Sequence, residues 1–363
     1  MIVAIHRDTA YPDCFGDQWA ACLEARGIEV RWVDLTRPDA IAQVTGCHGA
    51  MWRFGHLPED RRVAPRVLAA IEQVLGIPVF PDHRTAWHYD EKLSQYYLLT
   101  GAGFPMPETW IFWDRERALR WAETATYPKI FKLSSGSSGL NVARVDSAGA
   151  AAALIERMFG AGIAGGLVEE PAPAAPPPVP ARRALVRRAR SAVRELLGRP
   201  AWAPAPPPPP RWNVERGYAY FQEWIDHSSD TRIFTIGERA FGYLRMPFPG
   251  DFRASRSFGP RDYDPAKIDP RAVALSLAVS RKLGFQTMAF DLMHVRGAPV
   301  ILEMSYTFGV GTHQCPGYWT PSLQWVERDC WPYLAQIEDF AERLAGSRPV
   351  AGAVSADSVG GAA

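Results

Sequence analysis

Two carboxylates near the end of the chain fall on opposite sides of a predicted hairpin. Apolar residues fill the segment 288–305 on both sides of the turn sequence 296–298, and within it Asp291 lies opposite Glu303. Directly opposed side chains of an antiparallel pair have Cβ atoms roughly 5 Å apart, so the two charges repel each other. Buried charges persist when they are paired or bind a metal, and oxygen ligands favour a hard ion such as Mg²⁺. The spacing therefore predicts a Mg²⁺ site at Asp291 and Glu303, to which Ser305 on the same face adds a third oxygen.

The pairing in this hairpin depends on where its turn lies. If Gly297 is the central residue of a three-residue turn, Val295 pairs with Pro299 and the two acids are directly opposed. A second arrangement is compatible with the same residues: one acid forms a salt bridge with an arginine and the other faces solvent. The sequence favours the metal site and leaves this alternative open.

A loop of small residues is a second candidate binding feature. It joins two predicted strands, residues 129–133 and 140–145, and consists of Ser134, Ser135, Gly136, Ser137, Ser138 and Gly139. Because the loop has no bulky side chain, its backbone N–H groups can approach an anion such as a phosphate. It is not a Walker A loop, since no Gly-Lys-Ser/Thr sequence opens a helix. Lys132 precedes the loop, and with the acid pair it predicts MgATP bound between two sheets.

The bulk composition excludes several classes of protein. Lys and Arg number 40 against 39 Asp and Glu, a net charge of +1, so we expect no electrostatic binding of nucleic acid. The five cysteines show no close paired spacing, which favours free thiols in a reducing compartment over a disulfide or zinc framework. The first residues lack the apolar core of a signal peptide, and no stretch is long enough to span a bilayer. These features predict a cytoplasmic protein.

The elements that must position these residues begin with an α/β region. Strand and helix signals alternate over residues 1–85, which predicts a parallel three-layer α/β domain. Ligands of such sheets lie beyond the carboxyl ends of the strands. The residues at these ends are candidate substrate contacts or ordinary loop residues: His6, Arg7, Asp8, Trp52, Arg53, Phe54 and His56. Paired strand signals around short turns, later in the chain, predict antiparallel sheets.

Two longer patterns predict helices. Residues 85–100, which include Asp90 and Lys92, predict one continuous helix, and residues 323–344 predict another. The segment 346–363 is rich in Gly, Ala and Ser, which predicts a disordered tail.

Residues 171–212 interrupt the folded pattern. Two Pro/Ala-rich runs, 171–180 and 204–210, favour an extended polyproline conformation and cannot form a core. Between them, residues 182–199 contain seven arginines and one glutamate, and their apolar residues fall on one helical face. This pattern predicts a basic amphipathic helix. It could make weak contact with an anionic membrane surface or a polyanion, or be a solvated insertion that folds over the catalytic domain.

From residue 90 to residue 305, the order of these motifs resembles that of the ATP-grasp superfamily of carboxylate–amine (or thiol) ligases. The nearest pattern is that of the ribosomal-protein glutamate ligases. The resemblance implies an N-terminal parallel α/β pre-ATP-grasp domain followed by a two-lobed ATP-grasp domain with antiparallel sheets. It divides the chain into a pre-ATP-grasp domain (1–88), a first lobe with the flap loop (89–170), the Pro-rich insertion (171–212), a C-terminal lobe with the metal site (213–345) and the tail (346–363). The implied cofactors are ATP and Mg²⁺, with Mn²⁺ as an alternative ion.

The resemblance also implies roles for individual residues. Lys92 and Lys132 match the lysines that neutralise the phosphates, and residues 135–139 match the flap that covers them. The remaining matches are the adenine-binding hinge at Glu223, Trp224 and Ile225, the strand residue Asp230, the polar segment Arg253, Ala254 and Ser255, the arginine near the transferred phosphate at Arg245, and the metal acids at Asp291 and Glu303. The family usually has Asn at the positions of Ser255 and Ser305, and serine is shorter and a weaker metal ligand.

Acyl-phosphate chemistry is the activity that this resemblance implies. A small-molecule carboxylate attacks the γ-phosphate of ATP while Arg245 and Arg253 stabilise the transferred phosphoryl group, and an amine then displaces phosphate to leave an amide. Two other functions stay open: a kinase or phosphotransferase on the same scaffold, and a nucleotide-binding protein that has lost turnover. The run 303–319 resembles a subset of ATP-grasp proteins found with polysaccharide-biosynthesis genes, which implies a role in polysaccharide or cell-surface biosynthesis.

Overall fold

The computed structural model describes residues 1–8, 15–136, 139, 141–165, 213–248, 252–253, 260–308, 315–330 and 332–346. Two sequence predictions lie outside these residues: the insertion 171–212 with its basic helix 182–199, and the tail after Gly346. In the described part of the chain, none of the helices combines the length and the apolar character needed to cross a bilayer.

The N-terminal region contains a four-stranded parallel sheet, as predicted. Its strands, in the spatial order β2-β1-β3-β4, are β1 (Ile2–His6), β2 (Glu29–Val33), β3 (Gly49–Met51) and β4 (Val79–Phe80). The connecting helices are α1 (Gly16–Glu24), α2 (Ala40–Gln43) and α3 (Pro58–Leu75). Val3, Ala4 and Ile5 are fully buried because both faces of a parallel sheet are covered.

The predicted continuous helix over 85–100 is wrong. The structure has two helices there, α4 (His83–Ala86) and α5 (Lys92–Gly101), and Asp90 lies between them with a positive φ of 52°. The Glu91 side chain caps α5 by accepting a hydrogen bond from the N–H of Ser94 at 2.6 Å. The capped break turns Asp90 out of any helix, so its carboxylate can reach the flap loop.

A four-stranded antiparallel sheet forms the next layer. Its strands, in the order β5-β10-β6-β7, are β5 (Thr109–Phe112), β6 (Lys129–Lys132), β7 (Val142–Val145) and β10 (Ala219–Glu223). The helices α6 (Arg115–Thr124) and α7 (Ala148–Phe159) belong to the same region, which also contains a short ladder of β8 (Ile163–Ala164) and β9 (Val214–Glu215).

A seven-stranded antiparallel sheet carries the acid pair. Its main order is β15-β14-β11-β12-β16-β17, and β13 also pairs with β12. The strands are β11 (Asp230–Ile236), β12 (Arg239–Arg245), β13 (Arg261–Asp262), β14 (Thr287–Val295), β15 (Ala298–Ser305), β16 (Cys315–Trp319) and β17 (Trp325–Cys330). A 3₁₀ turn (Pro265–Lys267) and the helices α8 (Pro270–Leu283) and α9 (Pro332–Gly346) complete the described elements. The predicted fold class, parallel α/β followed by two antiparallel sheets, is confirmed.

The predicted helix over 323–344 is wrong in its first part. Residues Trp325–Cys330 form β17, and the helix begins only at Pro332. Leu323 has a positive φ of 60° and turns the chain between β16 and β17, which a continuous helix would not allow.

The C-terminal helix packs back onto the N-terminal sheet. A Cβ atom added to Gly49 of β3 would lie 2.8 Å from Leu344 and 2.9 Å from Phe340, so α9 lies directly against that strand. Trp19 of α1 also donates a hydrogen bond to Gln336 of α9 at 3.1 Å. The N-terminal region and the end of the chain therefore share a core, and the domain boundaries inferred from the sequence stay a prediction.

Candidate active site

The hairpin that carries the acids has a tighter turn than predicted. Arg296 and Gly297 alone form the turn, with positive φ angles of 51° and 78°. Two consecutive positive φ angles are the signature of the two-residue hairpin turns that match strand twist. Val295 therefore pairs with Ala298, and the predicted pairing with Pro299 is wrong.

The prediction that the two acids face each other is nevertheless confirmed. Near the turn Leu292 pairs with Ile301, one residue out of the predicted register. A β-bulge between Asp291 and Leu292 inserts one extra residue on the partner strand, and Asp291 then pairs with Glu303. The bulge restores the register that the turn had shifted.

Two arginines compensate the charge of Asp291. Its Oδ1 accepts a hydrogen bond from Arg232 at 2.8 Å, and its Oδ2 lies 2.9 Å from Arg245. Arg245 also donates two hydrogen bonds to Asp230, each at 2.7 Å. Burial opposes ionisation of Asp291, but the two guanidinium groups outweigh it and lower its pKa. Burial raises the pKa of Asp230, and the guanidinium of Arg245 opposes this shift.

Glu303 is paired with a lysine and also reaches the cleft. Lys92 Nζ lies 3.2 Å from Glu303 and donates a hydrogen bond to the carbonyl of Gly136 at 2.7 Å. Burial disfavours the charge of Lys92, but Glu303 and Asp90 outweigh it and raise its pKa. The Glu303 side chain is 30% exposed. Both acids thus have cationic partners, so a metal ion is not required to make their proximity tolerable.

A cleft that is partly open to solvent lies between the two antiparallel sheets. The predicted site residues that line it are Lys92, Lys132, Gly136, Gly139, Glu223, Trp224, Ile225, Asp230, Arg253, Asp291 and Glu303. Three other predicted site residues are described but do not line it: Ser135, Arg245 and Ser305. Four predicted site residues, Ser137, Ser138, Ala254 and Ser255, lie outside the described part of the chain.

Lys132 points its charge into this cleft from a buried position. It is 8% exposed, and its Nζ donates a hydrogen bond to the side-chain oxygen of Gln222 at 2.6 Å. Burial lowers the pKa of Lys132 to about 8, with Glu303 opposing this shift. The sequence alone does not predict Gln222 as the partner of this lysine. The pairing joins β6 to β10 over 90 residues, beyond the reach of any local motif.

The hinge residues border the cleft next to Lys132. The N–H of Glu223 donates to the carbonyl of Glu108 at 2.8 Å, and its carboxylate accepts from the N–H of Glu108 at 2.8 Å. The ring of Trp224 lies 5.3 Å from that of Phe252 and 4.5 Å from the guanidinium of Arg144. This apolar, aromatic border suits a flat ring such as a purine.

The base of the flap differs from the prediction. The N–H of Ser135 donates to the carboxylate of Glu215 at 3.1 Å, and the N–H of Gly136 donates to Asp90 at 2.7 Å. Because protein carboxylates hold these two N–H groups, they are not directed at a phosphate. Farther along the loop, Arg253 donates to the carbonyl of Gly139 at 3.3 Å and closes one side of the cleft.

The predicted third metal ligand is turned away from the acids. The hydroxyl of Ser305 donates a hydrogen bond to the carbonyl of Thr307 at 2.7 Å. Among the described residues, no group of three or more His, Cys, Asp or Glu side chains could hold a metal ion. The ligands of a metal ion at this site would therefore have to come from both the protein and a bound nucleotide. This arrangement is typical of Mg²⁺, which binds one or two carboxylates together with phosphates. Asp291 and Glu303 fit this role because both line the cleft.

Arg245 does not line the cleft, where its predicted role near the transferred phosphate would place it. It is 6% exposed and its hydrogen bonds go to Asp230 and Asp291, so it orders the two acids and does not contact the cleft. Arg232 shares this function at the other oxygen of Asp291.

The strand ends of the N-terminal sheet meet the end of β15. The His6 and Trp52 rings stack with their centroids 4.1 Å apart, and Arg53 donates to the carbonyl of Phe308 at 3.4 Å. The His56 ring nitrogen lies 3.4 Å from the carboxylate of Asp90. The candidate substrate contacts therefore gather between the acid-bearing hairpin and the base of the flap.

Comparison with family models finds no match to this chain. Several proteins resemble parts of it. The alpha-aminoadipate–LysW ligase LysX of Saccharolobus solfataricus is 35% identical over 77 residues, which are 21% of this chain and 28% of that ligase. The probable alpha-L-glutamate ligase 2 of Shewanella amazonensis is 27% identical over 113 residues, 30% of this chain and 37% of that protein. The chain thus matches well under half the length of either relative.

A solved structure resembles nearly the whole chain. The ATP-grasp ligase PsnB, in complex with its precursor peptide PsnA2 and AMPPNP, superposes with a TM-score of 0.55 at 13% sequence identity. The superposition covers 95% of this chain and 98% of PsnB. At this identity the likeness establishes the fold alone: the chain has the fold of this ATP-grasp ligase.

Proposed function

We propose that this chain, whose fold is that of the ATP-grasp ligases, is an ATP- and Mg²⁺-dependent ligase that joins a carboxylate to an amine. The main support is the cleft, where Lys132 on one sheet faces Asp291 and Glu303 on the other. Lysines that neutralise phosphates and acids that share a Mg²⁺ ion with them are the two halves of a MgATP site.

The described residues divide the proposed nucleotide site into two ends. All four of the following residues line the cleft. In the proposal Trp224 and Ile225 border the purine, and Lys132 and Lys92 neutralise the phosphates. Asp291 and Glu303 would hold Mg²⁺ through oxygen atoms that still have a free lone pair. When bound, the ion offsets the charge that builds up on the phosphates during transfer. Mn²⁺ is a second ion to be tested.

Arginines take two separate roles in the proposal. Arg253 borders the cleft, where its charge can stabilise the transferred phosphoryl group. Arg245 acts indirectly, because it fixes the positions of Asp230 and Asp291.

The proposed reaction has two steps and needs no protein nucleophile. An oxygen of the carboxylate attacks the γ-phosphorus, the bond to the β-phosphate oxygen breaks, and ADP leaves. The amine then attacks the acyl carbon, the C–O bond to phosphate breaks, and an amide and inorganic phosphate form. The acyl phosphate reacts readily with water, so closure of the flap protects it.

Small-molecule acids and amines are the proposed substrates. The matched segments of a ligase acting on alpha-aminoadipate and of probable glutamate ligases make amino acids the first compounds to test. The resemblance of residues 303–319 to polysaccharide-cluster proteins adds uronic-acid sugars and a role in cell-surface biosynthesis to the proposal. Contact of residues 182–199 with an anionic membrane surface stays a prediction.

Release of ADP tests the proposed activity. Wild-type protein with ATP, Mg²⁺, one acid and one amine should form ADP, phosphate and an amide in equal amounts. Glu303→Ala should abolish ADP release, whereas Glu238→Ala, an exposed acid elsewhere on the same sheet, should retain it. A stable phosphorylated product without free phosphate would identify a kinase. Undiminished ADP release by Glu303→Ala would contradict the proposed site.

A further inference from the structure

Three acidic side chains hold the base of the flap, and one of them comes from a distant part of the chain. Asp90 accepts from the N–H of Gly136, and Glu91 accepts from the hydroxyl of Ser134. Both acids directly precede α5. The third acid is Glu215, which lies 80 residues beyond the loop in sequence.

Glu215 makes the densest set of contacts with the flap. Its carboxylate accepts hydrogen bonds from the N–H of Ser134 at 2.9 Å and the N–H of Ser135 at 3.1 Å. It also accepts from the hydroxyls of Ser135 and Tyr218. The N–H of Ser134 reaches the Tyr218 hydroxyl as well, at 2.7 Å. An ionised carboxylate has enough lone pairs for all of these donors, whereas an amide would place its own N–H groups against them.

The position of Glu215 is set by a very short ladder. Strand β9 pairs with β8 through only two residue pairs, Ile163 with Glu215 and Ala164 with Val214. Gly162, with a φ of 83°, lets the strands approach closely: an added Cβ would lie 2.5 Å from Val214 and 2.7 Å from the carbonyl of Glu215. Any side chain at position 162 would therefore push β9 away.

The two strands of this ladder, β8 and β9, flank the insertion in sequence. Residues 166–212 lie in the chain between β8 and β9, so Glu215 follows the insertion by three residues. Glu215 therefore contacts the base of the flap and lies, in sequence, next to the end of the insertion.

We infer that Glu215 is a positioning residue that fixes the first turn of the flap beside the proposed nucleotide site, and that β9 sets where this carboxylate lies. The inference rests on the proposed ATP site, since it concerns the loop that covers it.

Binding of MgATP to the full-length protein, measured by calorimetry, tests the role of the carboxylate. Glu215→Gln keeps the shape of the side chain but removes one charge, and it should raise the Kd for MgATP at least about tenfold, as expected for loss of a charge-assisted hydrogen bond. Amide hydrogen exchange at Ser134 and Ser135 should become faster in this variant. Glu123→Gln, an exposed acid of α6, is the matched control and should change neither quantity.

Gly162→Ala tests the contribution of β9 without replacing any residue of the flap or the cleft. It should raise the Kd and speed exchange at Ser134 and Ser135 in the same direction as Glu215→Gln. Gly103→Ala is the control, because Gly103 also has a positive φ, 76°, but a Cβ there meets nothing within 4 Å. Unchanged Kd and exchange in both Glu215→Gln and Gly162→Ala, with unfolding midpoints near that of the wild type, would overturn the inference. Failure of the wild type to bind MgATP would overturn the proposed function instead, and the exchange measurements would still decide the role of Glu215.

Discussion

Replacing Arg245 with methionine should destabilise the protein strongly. Arg245 joins two carboxylates in the interior: it donates two hydrogen bonds of 2.7 Å to Asp230, and one of its nitrogens lies 2.9 Å from Asp291. Methionine preserves much of the stem volume but leaves these carboxylates without that charge. Removing one partner of a buried ion pair costs about 3–5 kcal/mol, and we expect the free energy of unfolding to fall by this amount at pH 8. No discount for solvent screening applies, since Arg245 is 6% exposed.

The decrease in the free energy of unfolding caused by Arg245→Met should depend on pH. Burial already raises the pKa of Asp230 with the arginine present, and removing the arginine raises it further. A carboxyl group whose pKa is higher in the folded than in the unfolded protein takes up a proton on folding, so its contribution becomes more favourable as pH falls through the folded pKa. The difference in stability between wild type and variant should therefore be smaller at pH 5 than at pH 8.

Equilibrium unfolding in urea, followed by tryptophan fluorescence, measures both effects. Lys267→Met, which removes an exposed ion pair with Asp262, serves as the control and should change stability little. The double variant Asp230→Asn/Arg245→Met should be less destabilised than the sum of the single variants, because it no longer buries an unpaired charge at Asp230. A loss below about 1 kcal/mol in Arg245→Met, the size of a surface pair, would refute a structural role for this buried network.

Three further predictions follow from buried contacts. Burial lowers the pKa of Lys132 to about 8, so its charge is lost as pH rises through that value. The affinity for MgATP, measured by calorimetric titration, should therefore fall between pH 7 and pH 9. Lys132→Arg should remove this pH dependence, because arginine keeps its charge over this range. Gly49→Ala should lower the free energy of unfolding by about 1–3 kcal/mol through contact with α9, whereas Gly101→Ala, which meets no atom within 4 Å, should not destabilise by crowding. Tyr306→Phe should cost about 1–3 kcal/mol by leaving the carbonyl of Phe54, 2.6 Å from the tyrosine hydroxyl, without its partner, and the same unfolding measurement checks it.

The pairing of the two opposed acids could be predicted from the local sequence, but the details of their hairpin could not. Alternating apolar residues around a glycine turn were enough to place Asp291 opposite Glu303. The turn has two residues and the hairpin has a bulge, and neither feature has a strong local signature. The correct pairing resulted because the bulge offset the shorter turn.

Charge compensation could not be read from the same residues. Asp291 is neutralised by Arg232 and Arg245, which come from two other strands of the sheet. Such partners depend on strand order and register across the whole sheet. The repulsion between the two acids is therefore weaker than the sequence predicts, although their position at the cleft still suits Mg²⁺.

The errors in secondary structure have local causes. Apolar periodicity continues from residue 85 to residue 100, yet a positive φ at Asp90 and the cap at Glu91 break the helix there. The same periodicity ran through β17, where strand pairing with β16 overrides helix propensity. At the flap, the glycine-serine composition indicated a loop correctly, but the distant carboxylate of Glu215 that holds it has no sequence signature.

Transfer of isotopic oxygen tests the proposed chemistry most directly. The carboxylate substrate found by the ADP-release screen is labelled with ¹⁸O at both oxygens and incubated with the protein, MgATP and the amine, and the inorganic phosphate is analysed by mass spectrometry. Formation of an acyl phosphate followed by attack of the amine predicts one ¹⁸O atom in each phosphate released. Unlabelled phosphate, or a stable phosphorylated product in its place, would contradict the assignment of this protein as a carboxylate–amine ligase.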